Sequence, residues 1–520
     1  MTTQPIAETF ESEIIAPSTA GMTTKVVKGS LWTLLGQVLP MAVALIATPF
    51  TIRFLGSEGY GVVILVGLIP TYFSFADFGM GIASTRFASE AFGDANRERE
   101  GEIVRESTLI ACLASLVVAI PIFVLSSWIV DQFNVPASFQ SSASVGLKIS
   151  SATFVLGILA SVLNTPMLSR LRMGLNSITS TVPKILMAVI TPIVLYFGGG
   201  VIGAVWVGFF AGLLGVALVL FFSARLLPEL LTPDVRTDYF SPLLKFGGGL
   251  VIGGIAGILL TNLEKLVLTR LVSVRSLAYY SVAYTFAVMT TLFAGAMLQS
   301  LVPAFSQLLA PEKKAEFNAL FARGMRLNII WLLPAIMVLF VIAKPFFTLW
   351  AGEDFGRESP LPFYILLFGL FFNVLAYFPH STITAKGRTD FFAKLYWIEL
   401  AIYVVAVPVL INAFGIAGAA AAWSVRVILD ALIIIWFSKR IAGTTFGLFS
   451  HFRNLLLSVA VLLPAALFAA FYDNFSLWLF VIVPACLALY SIVIWKRFVE
   501  ADERTWLLVR WNEMFSRSTL

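Results

Sequence analysis

Apolar runs of about 20 residues recur along the chain, separated by short polar breaks. Runs such as Ala111 to Ile122 and Ile330 to Ile342 do not alternate apolar with polar positions. A spanning helix needs roughly 20 apolar residues, whereas barrel strands show short alternating segments. The pattern predicts an all-α membrane protein with about 14 transmembrane helices. The spans fall near 30–53, 59–80, 108–130, 145–168, 178–198, 201–222, 243–269, 276–303, 327–350, 361–384, 394–412, 415–437, 454–472 and 476–495. No connection between them can house a soluble domain, which needs at least about 50 residues.

An internal repeat overlies this pattern. Span 1 ends in TIRFLGSEGYG and span 7 in LTRLVSVRSLAYY, with Arg53 and Arg270 217 residues apart. Span 6 begins GVIGAVW and span 12 GIAGAAAAW, with Gly203 and Gly418 215 apart. Arg172 and Arg388, between spans 4 and 5 and between spans 10 and 11, are 216 apart. The offset covers six spans, an even number, so both copies keep the same orientation. That predicts an N-lobe at 29–222 and a C-lobe at 243–437, related by an axis along the membrane normal. A substrate cavity is expected between them, as alternating access requires. Spans 13 and 14, at 454–495, stand outside the repeat. Residues 1–28 read as a disordered cytosolic tail and 496–520 as a second cytosolic tail.

Composition sharpens this reading. The 520 residues are 59% hydrophobic and 12% charged, with a mean hydropathy of +0.91. Soluble domains run near 45–50% apolar and 25% charged, so soluble and disordered classes are excluded. Of the 35 Lys and Arg, 26 fall on the side of the termini, six on the other and three within spans. Both termini are therefore expected in the cytosol. This bias accounts for the net charge of +6 without a nucleic-acid partner. The first 24 residues lack Lys and Arg and carry Glu8, Glu11 and Glu13. That is not a signal peptide, and Met22 offers a second start. The stretch Arg86 to Glu106 mixes both signs and reads as a solvated interfacial helix.

Motifs for other chemistry are missing. No GxxxxGK[ST] phosphate loop, HExxH or CxxC occurs. His380 and His451 are far apart, and Cys112 and Cys486 sit inside spans as small hydrophobes. No metal, cofactor or ATP hydrolysis is expected.

Several segments resemble a known group. Fourteen spans arranged as six plus six plus two are similar to the multidrug, oligosaccharidyl-lipid and polysaccharide (MOP) exporter superfamily. Arg53-Phe-Leu-Gly-Ser-Glu-Gly-Tyr-Gly61 resembles the loop after the first span of its polysaccharide-transporter family, the lipid-linked oligosaccharide flippases. Phe75-Ala-Asp77-Phe-Gly79-Met-Gly81 and Thr85-Arg86-Phe-Ala-Ser-Glu90 resemble the end of that family's second span. Gly200-Val-Ile-Gly203-Ala and Gly415-Ile-Ala-Gly418-Ala resemble its paired glycine turns. The likeness covers about residues 25–500. It implies translocation of a polyprenyl-pyrophosphate-linked oligosaccharide across the bacterial cytoplasmic (inner) membrane. The products would be O-antigen, capsule or exopolysaccharide, with membrane lipid, a polysaccharide polymerase and glycosyltransferases as partners.

Ionisable side chains within spans cost roughly 2.5–3.5 kcal/mol each and tend to face cavities. Arg53, Lys184, Lys265, Arg270 and Arg426 are the candidate substrate-binding cations, since Arg and Lys suit a pyrophosphate. Asp77, Glu264, Glu399 and Asp430 are the candidate coupling carboxylates, with Glu264 first. Bland roles compete with these. Arg426 and Asp430, four apart, make a private ion pair on one helical face. Lys184 snorkels to the surface, and Glu399 meets cytosolic water. Arg53 and Arg270 anchor in headgroups, and Asp77 caps a helix terminus. Glu264 and Lys265 lie about 100° apart and do not face each other. His380, Tyr279-Tyr280, Phe346-Phe347 and Phe371-Phe372 read as packing. The run GGGLVIGGIAG at Gly247 to Gly257 permits close helix approach.

Three rival functions remain. A drug or cation antiporter of the same superfamily would concentrate acids in the first lobe, where only Asp77 lies within a span. A peptidoglycan lipid-precursor flippase would carry more arginine around its first span. A membrane glycosyltransferase or polymerase would need a large outer loop, but the longest, about 131–144, carries only Asp131.

Overall fold

The computed structural model describes residues 19–232, 237–444, 452–471, 479–497 and 504. Among them there is no strand, and eight helical stretches are long and apolar enough to cross a membrane. In chain order the main helices are α1 Thr19–Thr71, α2 Met80–Gly93, α3 Arg97–Val124, α4 Ala137–Leu163, α5 Met173–Tyr196, α6 Gly200–Leu226 and α7 Phe240–Leu271. They continue as α8 Val274–Val288, α9 Thr291–Gln307, α10 Lys314–Ala351, α11 Pro360–Ala385, α12 Asp390–Ala442, α13 Phe452–Phe471 and α14 Leu479–Arg497. The first helix begins at Thr19, so residues 19–28 are helical rather than part of a disordered tail. Residues 1–18, and all of the expected C-terminal tail beyond Arg497 except 504, lie outside the described residues.

Two stretches are interrupted by glycines in the left-handed region. α1 breaks at Gly56 (φ 68°) and α12 at Gly415 (φ 57°). Only glycine enters this region without a steric penalty. At the second break the chain doubles back, so a Cβ on Gly418 would lie 1.9 Å from the Leu410 carbonyl oxygen.

The backbone repeats what the sequence repeats. Gly200 (φ 56°) and Gly415 (φ 57°) share a left-handed conformation at the start of α6 and in the middle of α12. Three residues on, Gly203 and Gly418 are both too crowded for a side chain. Leu171 (φ 54°) and Gly387 (φ 71°) likewise precede Arg172 and Arg388. Matching offsets in sequence thus become matching turns.

By their contacts the residues divide into 1–255 and 256–520, the division falling within α7. In the first unit α1 packs on α5, α4 on α3 and α6, and α2 on α3. Its core includes Met80, Ile103, Val104, Val162, Met167 and Leu243. Gly247 is a true close approach, since a Cβ there would lie 1.9 Å from the Phe78 carbonyl oxygen. Other glycines of the same run, such as Gly253 and Gly257, have open space instead.

In the second unit α11 is central, packing on α8, α9, α10 and α12. Lipid tails are as apolar as leucine, so close packing rather than water exclusion drives helix association here. Small residues provide it. Gly324 of α10 sits under the Phe378 ring of α11, and Gly369 of α11 faces Ser424 of α12. α13 and α14 join this core through Leu462, Ala465 and Cys486. Tyr490 donates its hydroxyl to the Ile330 carbonyl at 2.9 Å.

Candidate functional site: a buried charged group in the second unit

α7 places Glu264 and Lys265 in its last two turns, about seven turns from its start. Successive residues point about 100° apart, and they find different partners as expected. Glu264 is fully buried. The Tyr280 hydroxyl donates to its Oε1 at 3.2 Å and the Tyr403 hydroxyl to its Oε2 at 3.0 Å. Lys265 Nζ donates to Asn262 Oδ1 at 2.8 Å and lies 4.1 Å from the centroid of the Tyr284 ring. A cation over an aromatic face gains roughly 0.5–2 kcal/mol, more when desolvated.

The second half of α12 supplies Arg426 and Asp430. The private pair expected between them is not what forms. Arg426 Nη1 instead reaches Glu399 Oε2, 3.2 Å away on the first half of the same helix. The turn at Gly415 makes this possible by bringing the two halves of α12 side by side. Glu399 is buried rather than water-facing, and the Asp430 carboxyl lies against it. One guanidinium is thus paired with Glu399, while Asp430 lies against that pair without an ion pair of its own to Arg426. Glu399 Oε1, Asp430 Oδ1 and Arg426 Nε have no hydrogen-bond partner. Buried polar atoms in that condition are costly, which marks a place where an ion, a proton or a ligand would be accommodated.

Aromatic rings join the parts. The Arg426 guanidinium lies 5.5 Å from the Tyr403 ring centroid and 5.9 Å from that of Trp423. Trp423 meets Tyr284 edge-on at 5.5 Å, and Tyr284 stacks on Tyr280 at 6.0 Å. The whole group holds three acids (Glu264, Glu399, Asp430) and two bases (Lys265, Arg426).

Arg270 is exposed in the last turn of α7 and has contacts of its own. In the first unit Arg53 and Lys184 are exposed on α1 and α5. Asp77 accepts the Gly79 N–H at 2.8 Å, closing the corner before α2. His380 stacks on Phe392 with ring centroids 4.0 Å apart.

Sequence reasoning missed Tyr280, Tyr284, Tyr403 and Trp423, which look like ordinary packing residues. A usable signal was their spacing, since Tyr280 and Tyr284 are four apart on one helical face.

It also misread the stretch from Arg86 to Glu106. Glu100 and Glu106 are fully buried, not solvated. Glu100 takes a bidentate contact from Arg170, at 2.5 and 2.9 Å, and a hydroxyl from Ser169 at 3.0 Å. Glu106 accepts the Tyr239 N–H at 3.0 Å, and Arg105 donates to the Glu229 carbonyl and to Thr232. The start of α3 is therefore the knot that holds Ser169 and Arg170, Glu229 and Thr232, and Tyr239 within the first unit. Mixed charges in sequence register here as internal pairing because the loops fold over them.

Comparison with known proteins identifies the family. The polysaccharide biosynthesis protein family matches residues 26–309, more than half of the chain. The chain belongs to the polysaccharide biosynthesis protein family. This bears out the resemblance to the polysaccharide transporters of the MOP superfamily. A Shigella flexneri protein named "Putative O-antigen transporter" is 23% identical over 420 residues, 80% of this chain and 99% of that one. The capsular polysaccharide biosynthesis protein CapF of Staphylococcus aureus is 26% identical over 185 residues, 36% of this chain and 46% of that one. Among solved structures, the lipid II flippase MurJ in an inward closed conformation matches with a TM-score of 0.69 at 14% identity. It covers 90% of this chain and 98% of that one. An inward-facing multidrug resistance MATE family transporter of the MOP superfamily matches at 0.65 and 10% identity, covering 79% and 98%. This member of the polysaccharide biosynthesis family is thus a multi-pass membrane protein with the fold of MurJ and MATE transporters. The family match includes Glu264 and Lys265 but ends before Glu399, Arg426 and Asp430.

Proposed function

We propose that the protein is a flippase carrying a polyprenyl-pyrophosphate-linked oligosaccharide across the bacterial cytoplasmic membrane by alternating access between its two repeats. It is a transporter, not an enzyme, with both termini in the cytosol. Its partners are the lipid-linked glycan, membrane lipid, and the glycosyltransferases and polymerase of a surface-polysaccharide pathway. The observation that carries this reading is the pair of cations, buried Lys265 and half-buried Arg426, inside apolar spans of a polysaccharide-biosynthesis family member. Holding each in a span costs roughly 2.5–3.5 kcal/mol, a cost expected at a site for an anionic group. Arg53, Lys184 and Arg270 are the further cations proposed to meet the pyrophosphate on its way.

The same group supports coupling. Three acids against two bases leave one negative charge over, which a proton or a monovalent cation would balance. Glu264, Glu399 and Asp430 are the coupling carboxylates of this reading, and Asp77 the candidate of the first repeat. A unit charge crossing the membrane is worth about 2.3 kcal/mol per 100 mV, enough to shift a lobe-rocking equilibrium roughly fifty-fold. The test is a proteoliposome assay in which lipid-linked oligosaccharide is made accessible to an impermeant sugar oxidant only after flipping. Imposed proton, sodium and potential gradients are compared for the wild type and Glu264→Gln. Protein-dependent exposure of the glycan supports the reading. Export of a cationic dye without glycan exposure would replace it with a drug antiporter. Glycan exposure indifferent to every gradient would leave flipping pulled by consumption of product.

A further inference from the structure

Glu264 is fully buried, yet neither neighbouring cation bridges it. Lys265 is engaged with Asn262 and Tyr284, and Arg426 with Glu399. What the carboxylate has instead is one phenol on each oxygen, from Tyr280 on α8 and Tyr403 on the first half of α12. Tyr403 does two things at once. Its hydroxyl edge donates to Glu264, while its ring lies under the Arg426 guanidinium at 5.5 Å. It is the side chain that touches both the acid of α7 and the cation of the second half of α12.

We propose that Tyr403 is a positioning residue that transmits the charge state of Glu264 to the Arg426–Glu399–Asp430 group, with Tyr280 closing the opposite side of the carboxylate. This rests on the coupling reading above. Hydrogen bonds to an ionised acceptor are roughly twice as strong as neutral ones. When a proton or cation neutralises Glu264, the Tyr403 hydroxyl loses its charged acceptor. The hydroxyl then has only a neutral acceptor, and a small shift of the buried ring moves the guanidinium that lies over it. Arg426 changes its hold on Glu399, and the three spans that meet here respond together. Tyr280, without a cation on its face, fixes the carboxylate but does not relay.

The test uses the purified full chain in lipid, with infrared difference spectra recorded on step changes of pH and of sodium concentration. Tyr403→Phe assigns the Tyr403 phenol band, and Glu264→Gln assigns the carboxyl band. The expected result is a Tyr403 band that changes with the titration in wild type and no longer changes in Glu264→Gln. Removing one phenol donor should lower the half-saturating proton or sodium concentration about ten-fold in Tyr403→Phe. In transport, Tyr403→Phe, which keeps the ring under Arg426 but lacks the hydroxyl that meets Glu264, should stay at wild-type membrane abundance while its flipping no longer responds to the imposed ion gradient. A titrating Tyr403 band indifferent to Glu264→Gln overturns the proposal. So does a Tyr403→Phe variant whose flipping follows the ion gradient as the wild type does. A wild type with no titrating band at all overturns the coupling reading itself, and the relay with it.

Discussion

Arg426 pairs with Glu399, and Asp430 lies against that carboxyl, so one cation stands beside two buried acids and its loss is unlike the loss of either acid. Consider Arg426→Met, which keeps most of the side-chain volume. It leaves Glu399 and Asp430, 7% and 8% exposed, against each other with no cation. Breaking a buried pair by removing one partner costs roughly 3–5 kcal/mol, and here two like charges remain in contact. Glu399→Gln or Asp430→Asn leaves one guanidinium and one carboxylate, a neutral pair. Each should cost under about 1 kcal/mol or stabilise, since like-charge contact is relieved. The double variant Arg426→Met/Glu399→Gln should recover part of the loss. Thermal stability of the detergent-purified protein, read by fluorescence-detected size exclusion, orders the variants. The expected order is Arg426→Met lowest, the double variant intermediate, and the two single amides at or above wild type. Were Arg426 and Asp430 a private helical pair, Asp430→Asn would fall with Arg426→Met and Glu399→Gln would be silent. That pattern would refute the Arg426–Glu399 pairing.

Further tests address packing, topology and charge. Gly324→Ala drives a methyl into the Phe378 ring, 1.8 Å from its nearest atom; overpacking of about 1–3 kcal/mol should lower the melting temperature, and Phe378→Leu should rescue it. A cysteine at Ser141 should react with an impermeant thiol reagent from outside and one at Lys439 only from inside; reaction of both from one face would sink the topology. Glu106→Gln weakens the acceptor of the Tyr239 N–H and should make the 229–239 linker more sensitive to protease, while Arg388→Gln, on an exposed loop pair, should not. Lys265→Ala should remain abundant in the membrane yet abolish glycan flipping; normal flipping would remove Lys265 from the substrate path.

Much of the architecture was legible because membrane helices announce themselves in one dimension. Apolar length, the inward bias of Lys and Arg, and the 215–217 spacing of Gly203/Gly418 and Arg53/Arg270 all survive without tertiary information. The turns at Gly200 and Gly415 were readable for the same reason, since local backbone chemistry demands glycine there. The site was legible only in its charges. Glu264, Lys265, Glu399, Arg426 and Asp430 stand out in apolar spans, but who pairs with whom depends on a helix turning back at Gly415. Hence Arg426 was expected with Asp430, its neighbour in sequence, and is found with Glu399, its neighbour in space. The tyrosines were invisible for a different reason. A phenol in a span is cheap whether or not its hydroxyl is used, so Tyr280 and Tyr403 give no sign of strain or cost. The Arg86 to Glu106 stretch failed in the opposite sense. Balanced charge looks the same in sequence whether water or a partner side chain neutralises it.

The two repeats share turns but spend their buried charge differently. In the first, Glu100, Arg170, Arg105 and Glu106 sit at the base of α3 and hold loops, each contact joining a helix to a connection. In the second, Glu264, Arg426 and Glu399 sit within helices and hold one another across the turn of α12 and through Tyr403. A loop contact can be made and broken at the water surface at little cost. A charge contact within a span has no water to fall back on, so it must exchange one partner for another. That requirement favours a small set of discrete arrangements over continuous adjustment, which is the property a coupling group needs. Of the two units, it is the second whose buried charges lie within helices in this way.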